Sequence, residues 1–117
     1  MSRKIKHILR KVKHWWQRRT RGWDDSETWN LDYEFMLWLN SRFKKYLEQA
    51  DKIVDLDYYK FKYKGVEYTQ KQLICKIIEL TDKYKELKAE DWLDERTVEM
   101  VSITLDLFRL IYWYMWW

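Results

Sequence analysis

Two clusters of carboxylates are the side chains best placed to do chemistry: Asp24, Asp25, Glu27, Asp32 and Glu34, and then Glu90, Asp91, Asp94 and Glu95. Acids at helical spacing that face inward can hold a magnesium ion between facing helices, the arrangement a metal-dependent nucleotide hydrolase needs. Only Asp32 fits, because helical projection sets it among Phe35, Met36, Leu39 and Phe43. A buried acid needs a partner, and Arg18, Arg19 or Arg21 just upstream would supply it, so ion pairing outweighs metal binding. The other acids stand where helices begin and read as caps. His7 and His14 sit among lysines whose charge would repel a cation, and Cys75 has no second cysteine. No metal site and no cofactor is expected. Nothing resembles a nucleophile elbow, a P-loop or a dinucleotide fingerprint, so the chain reads as non-enzymatic.

The elements that must position these residues are helical. Pro 0 and Gly 2 in 117 residues leave little turn chemistry for a sandwich or barrel. The expectation is an all-α fold, a compact bundle of about four helices over residues 3–20, 25–48, 69–88 and 91–117, forming a single domain over 1–117. In the first helix Ile5, Ile8, Leu9, Val12, Trp15 and Trp16 project to one side, and Gly22 stops it. Asp24 with Glu27, and Thr69 with Gln72, have the spacing of capping boxes. The second helix has a wide apolar arc of Leu31, Phe35, Trp38, Leu39, Phe43 and Tyr46. The third carries a stripe of Leu73, Ile77, Leu80, Tyr84 and Leu87. The last has a narrow polar stripe of Glu95, Glu99, Ser102, Asp106 and Arg109. Residues 55–68, with aromatics alternating with lysines before Gly65, form a short hairpin or an extended loop, the hairpin being favoured.

Charge is divided along the chain. The net value of +4 conceals a head, residues 1–21, with nine Lys or Arg and no acid, and a remainder with a net of −5. Arg3, Lys4, Lys6, Arg10, Lys11, Lys13 and Arg18 cover the polar side of the first helix and could meet phosphates or an acidic partner. Trp 9 and Tyr 9 are extreme for this length and fit a dense, self-contained core, a sticky surface, or both. A lone cysteine excludes an intramolecular disulfide, reads as an inert, half-buried thiol and fits a cytosolic setting. No signal peptide is evident, and Asp106 and Arg109 interrupt the apolar C-terminal stretch, so no transmembrane segment is expected.

The stretch KHWWQRRTRGWDDSETWNLDYEF turns from arginines to acids within a few residues and reads as a corner between helices, built on Arg21, Trp23, Asp24, Trp29 and Asp32. It resembles the N-terminal signature of a family of small bacteriophage-encoded proteins, an Arg-rich, Trp-containing segment leading into Gly-Trp-Asp/Ser-Asp and then Trp-x-Leu-Asp. The matching residues are Arg18, Arg19, Gly22, Trp23, Asp24, Trp29, Leu31 and Asp32. A looser match lies at KGVEYTQKQL, where the family shows a Gly-Tyr-Pro-like turn and this chain has no proline. The resemblance implies a phage or prophage origin, hence a host cytoplasm, and names no activity.

Three functions follow as expectations. The first is an interaction protein that binds and modulates or inhibits a host protein or nucleoprotein complex, such as a CRISPR-type defence effector. It would use surplus aromatic surface at Trp38, Trp113, Trp116 and Trp117, which could equally serve a homodimer. The second is nucleic-acid binding through the basic helix. That helix could also lie on an anionic membrane, with Trp15 and Trp16 in the interface and its apolar face withheld from the core. The third, ranked last, is a magnesium-dependent helical enzyme like a nucleotide pyrophosphohydrolase, resting on Asp32.

Overall fold

Ser2 opens and Gly22 closes the first helix, α1 (Arg3–Arg21), in the computed structural model, which describes residues 2–116. The Ser2 hydroxyl accepts from the Ile5 amide at 3.3 Å. Gly22 takes the left-handed conformation, φ +85°, that lets its amide reach the Arg18 carbonyl at 2.9 Å. The other helices are α2 (Leu31–Ala50), α3 (Gln70–Lys85) and α4 (Glu95–Ile111), with strands β1 (Lys60–Tyr63) and β2 (Val66–Thr69) between α2 and α3. The chain is mostly helical with one small hairpin. Among the described residues no helix is long and apolar enough to cross a membrane.

The residues group into two units, one ending at Phe35 and one beginning at Met36. In the first, α1 leads into a 3-10 turn at Asp25–Thr28. The capping box of Asp24 and Glu27 forms, but it opens this turn, so α2 begins at Leu31 and not at residue 25. The Trp29 amide closes back on the Ser26 carbonyl at 3.2 Å, and the α-helical pattern restarts only with the Glu34 amide on the Asn30 carbonyl at 2.9 Å.

In the second unit, apolar residues three and four apart bring α2, α3 and α4 together. Leu39, Phe43 and Ala50 from α2, Leu73, Ile74, Ile77 and Leu80 from α3, and Leu107 and Ile111 from α4 share one core with Leu56 of the preceding loop. Thr69 caps α3 through the Gln72 amide at 3.2 Å while the Gln72 side chain returns to the Thr69 amide at 2.8 Å. The stripe predicted for α3 is buried through Tyr84, and Leu87 lies half-buried past its end.

The hairpin is real. Lys60 pairs with Thr69 and Tyr63 with Val66, across a two-residue turn in which Lys64 and Gly65 both have positive φ, 50° and 79°. Phe61, Tyr63 and Tyr68 lean on the core, and Lys60 and Lys62 face water. The last helix is shorter than 91–117. Ala89–Asp91 is a separate 3-10 turn, Asp94 caps α4 through the Arg96 amide at 2.8 Å, and a 3-10 turn at Tyr112–Tyr114 ends the helical run. Beyond it the chain is held by side-chain donors. Gln70 gives a hydrogen bond to the Tyr114 carbonyl at 2.9 Å, and the Tyr46 hydroxyl one to the Trp116 carbonyl at 3.0 Å.

Candidate functional site

Trp38, Arg42, Lys45, Tyr46 and Gln49 recur at three- and four-residue steps on one side of α2. They form one wall of an open groove of about 940 Å³ in the second unit. The facing wall is Phe108, Tyr112, Trp113, Met115 and Trp116, with Phe43 at the base. The structure therefore brings together three of the tryptophans expected at an interface, Trp38, Trp113 and Trp116. Trp117 lies outside the described residues.

The groove is held from below by ring contacts. Phe43 and Phe108 are 5.8 Å apart by centroid, Phe108 and Tyr112 5.7 Å, and Tyr112 and Trp113 5.2 Å. Tyr114 packs behind it on Tyr59, just before the hairpin, and on Phe61 of β1, at 4.7 and 5.0 Å. Burial raises the Tyr46 phenol above its ordinary pKa, and its hydroxyl donates to the Trp116 carbonyl. Aromatic area remains open to solvent: Trp113 is 81% exposed, Trp116 66% and Trp38 46%.

The charged and amide side chains of the lining, Arg42, Lys45 and Gln49, all come from α2. The Arg42 guanidinium lies 5.7 Å from the Trp38 ring centroid and donates to the Ser41 hydroxyl at 3.0 Å. Lys45 is 3.7 Å from the Glu48 carboxylate. The lining has two cations and no acid. Such a surface can bury apolar side chains and favour negative charge at its edge. Sequence reading placed Trp38, Phe43 and Tyr46 together in the wide apolar arc of the second helix. The α2 spacing was the available signal for the wall, and nothing local linked it to residues 108–116.

The corner is a separate site in the first unit. Asp24, 2% exposed, accepts from the Ser26 amide at 2.8 Å, from the Ser26 hydroxyl and from Arg18. Those bonds, Ser26 foremost, hold its carboxyl below the ordinary range. Asp25 is likewise held low, first by the Gln17 amide at 2.8 Å and then by Arg21 at 2.6 Å. Arg21 also stacks on Trp23 at 3.7 Å and donates to the Trp23 carbonyl at 3.0 Å. Trp29 meets His14 edge-on at 5.5 Å.

Asp32 departs from expectation. It is exposed, and among the described residues the buried acid is Asp24. Projection of Asp32 onto an inward face assumed neighbours that its unit does not supply, and burial along α2 begins only at Met36. Among the described residues no three His, Cys, Asp or Glu side chains converge as metal ligands. Cys75 is free and exposed, not half-buried, because Leu73, Ile74 and Ile77 take the inward positions around it.

The basic face of α1 is partly committed. Arg18 binds Asp24, and Lys13 lies 3.3 Å from Asp25. Among the described residues Arg3, Lys4, Lys6, Arg10 and Lys11 have no carboxylate within ion-pair distance.

A buried polar link that sequence reading missed joins α2 to α3. The Asn40 amide donates to the Thr81 hydroxyl and the Asp82 carboxylate, both at 2.9 Å, and its oxygen accepts from Lys85 at 3.3 Å. Lys44, at 2.8 Å, and then Asn40 hold the Asp82 carboxyl below its ordinary pKa. An asparagine in an otherwise apolar arc was the only signal for this link.

Compared with known proteins, the chain matches no family model, no curated protein and no solved structure.

Proposed function

We propose that this is a non-enzymatic interaction protein whose aromatic groove receives an apolar segment of a partner protein flanked by acidic residues. One observation carries the reading. Trp38, Phe43, Phe108, Tyr112, Trp113 and Trp116 converge on an open groove whose lining includes Arg42 and Lys45 and no acidic side chain, Glu48 lying beside Lys45 just outside it. Clustered, partly exposed aromatic residues beside an arginine are the composition of binding hot spots, and the charge at the rim selects the sign of the partner. The backbone beneath is fixed by Tyr46 and Gln70, so the surface is preorganised and a partner is bound without first ordering this segment.

The resemblance of residues 13–35 to phage proteins suggests the kind of partner: a host protein or nucleoprotein complex that the phage gains by modulating or blocking. Affinity capture from a bacterial host lysate, with and without nuclease, tests this. The expected result is a partner protein retained after nuclease treatment and lost from the Trp113→Ala/Trp116→Ala variant. A partner that disappears with nuclease, or is retained equally by that variant, contradicts the groove as the binding element.

A further inference from the structure

Independently of the groove, we infer that α1 is a surface anchor for an anionic lipid bilayer, lying along the headgroup boundary with its apolar face toward the acyl chains. No residue of α1 is buried, and Ile5, Ile8, Leu9, Val12, Trp15 and Trp16 on its apolar side are each between 49% and 61% exposed. The contacts that α1 makes in its own unit lie toward its C-terminal end, where Lys13, Gln17, Arg18 and Arg21 hold Asp24 and Asp25. They use the polar side and leave the apolar one unused.

The distribution of charge identifies the occupant. Lys4 and Lys11, seven residues apart, run along one border of the apolar face and Lys6 along the other. Lys13 and Arg18 continue these borders but are engaged with Asp25 and Asp24, and Arg19 lies over the Trp15 ring at 5.6 Å on the apolar side. A bilayer with acidic headgroups matches this on both counts. The apolar arc enters the boundary, while lysines on either side extend their aliphatic stems upward to lipid phosphates. Trp15 and Trp16 then sit at the depth that amphipathic aromatic rings prefer. Phosphate binding to a nucleic acid would use the cations alone and leave six apolar side chains without a role. Among the described residues no helix is long and apolar enough to cross a membrane, and the association proposed is a peripheral one.

Flotation of the full chain with vesicles tests the inference. The probes are phosphatidylcholine vesicles with about 30% phosphatidylglycerol, and phosphatidylcholine vesicles alone. Binding to the anionic vesicles should be about tenfold or more tighter than to the neutral ones. Ile8→Ser/Leu9→Ser/Val12→Ser, which removes exposed apolar groups, and Lys4→Gln/Lys6→Gln/Lys11→Gln should each weaken it by about tenfold or more. Circular dichroism confirms that both variants keep their helix content. Failure of the wild type to float with anionic vesicles at low salt overturns the proposal. So does undiminished flotation of the serine variant, or binding restricted to DNA or RNA that the glutamine variant loses and the serine variant keeps.

Discussion

At the scale of single residues, buried polar groups and exposed aromatic ones make opposite demands. Asn40 is enclosed, and its amide is satisfied by Ile78, Thr81, Asp82 and Lys85 of the facing α3. Asn40→Leu should lower stability by about 1–3 kcal/mol in urea unfolding, because Asp82 loses a donor and the apolar side chain returns nothing to it. A change indistinguishable from zero would mean that water replaces the amide at no cost. Trp113 is the reverse case: Trp113→Ala should move stability by no more than about 0.5 kcal/mol, since little of the ring is buried. Asp24 supplies a test with a definite sign. Its folded pKa is depressed, so the stabilisation it gives is complete above its unfolded pKa, about 3.9, and is lost as pH falls through the lower folded value. The wild type should therefore lose its stability advantage over Asp24→Asn in that acid window and keep it constant at neutral pH. An advantage that grows on acidification would show the bonds from Ser26 and Arg18 to be misassigned.

At the scale of elements, local signals succeed where the deciding partners are local. Thr69, Gln72 and the stripe from Leu73 to Tyr84 define α3 because cap and face both repeat within one or two turns. Thr69→Ala should accordingly cost about 1 kcal/mol of stability in the same urea assay, and no loss would mean that the cap is idle. Gly65→Ala should cost a further amount of about 1 kcal/mol, purely from the positive φ, since nothing lies within 4 Å of the added methyl. The start of α2 was less legible. A capping box announces a helical turn without specifying whether a 3-10 or an α-helix follows, and here the 3-10 turn came first. The end of α4 was not legible at all. Its terminal turn is held by Gln70 and Tyr46, residues far away in sequence that carry no local mark of that role. Asp32 failed for a related reason, because periodicity tells which residues share a face but not whether anything covers it.

At the scale of the molecule, two surfaces of different character stand out, each within its own unit. One is the amphipathic α1, whose segment holds nine cations and no acid. The other is the aromatic groove between α2 and the turn after α4. The aromatic surplus was visible in composition, and so was the division of charge. Their gathering into a groove depended on the tertiary contacts of Phe43, Phe108 and Tyr46. Attraction of α1 to any anionic surface should weaken steeply with salt, whereas binding at the groove should weaken only modestly, because most of its area is apolar and only Arg42 and Lys45 of its lining are charged. Titration of one captured partner at two ionic strengths separates the two modes: a groove partner loses little affinity, and a steep fall would assign it to α1.

The most direct test of the central claim is the affinity of that purified partner for the wild type and for Trp113→Ala/Trp116→Ala, measured by calorimetry. With the groove as the binding element, the double variant should bind at least about thirtyfold more weakly, the loss expected of hot-spot tryptophans. Equal affinities for the two proteins would contradict the account.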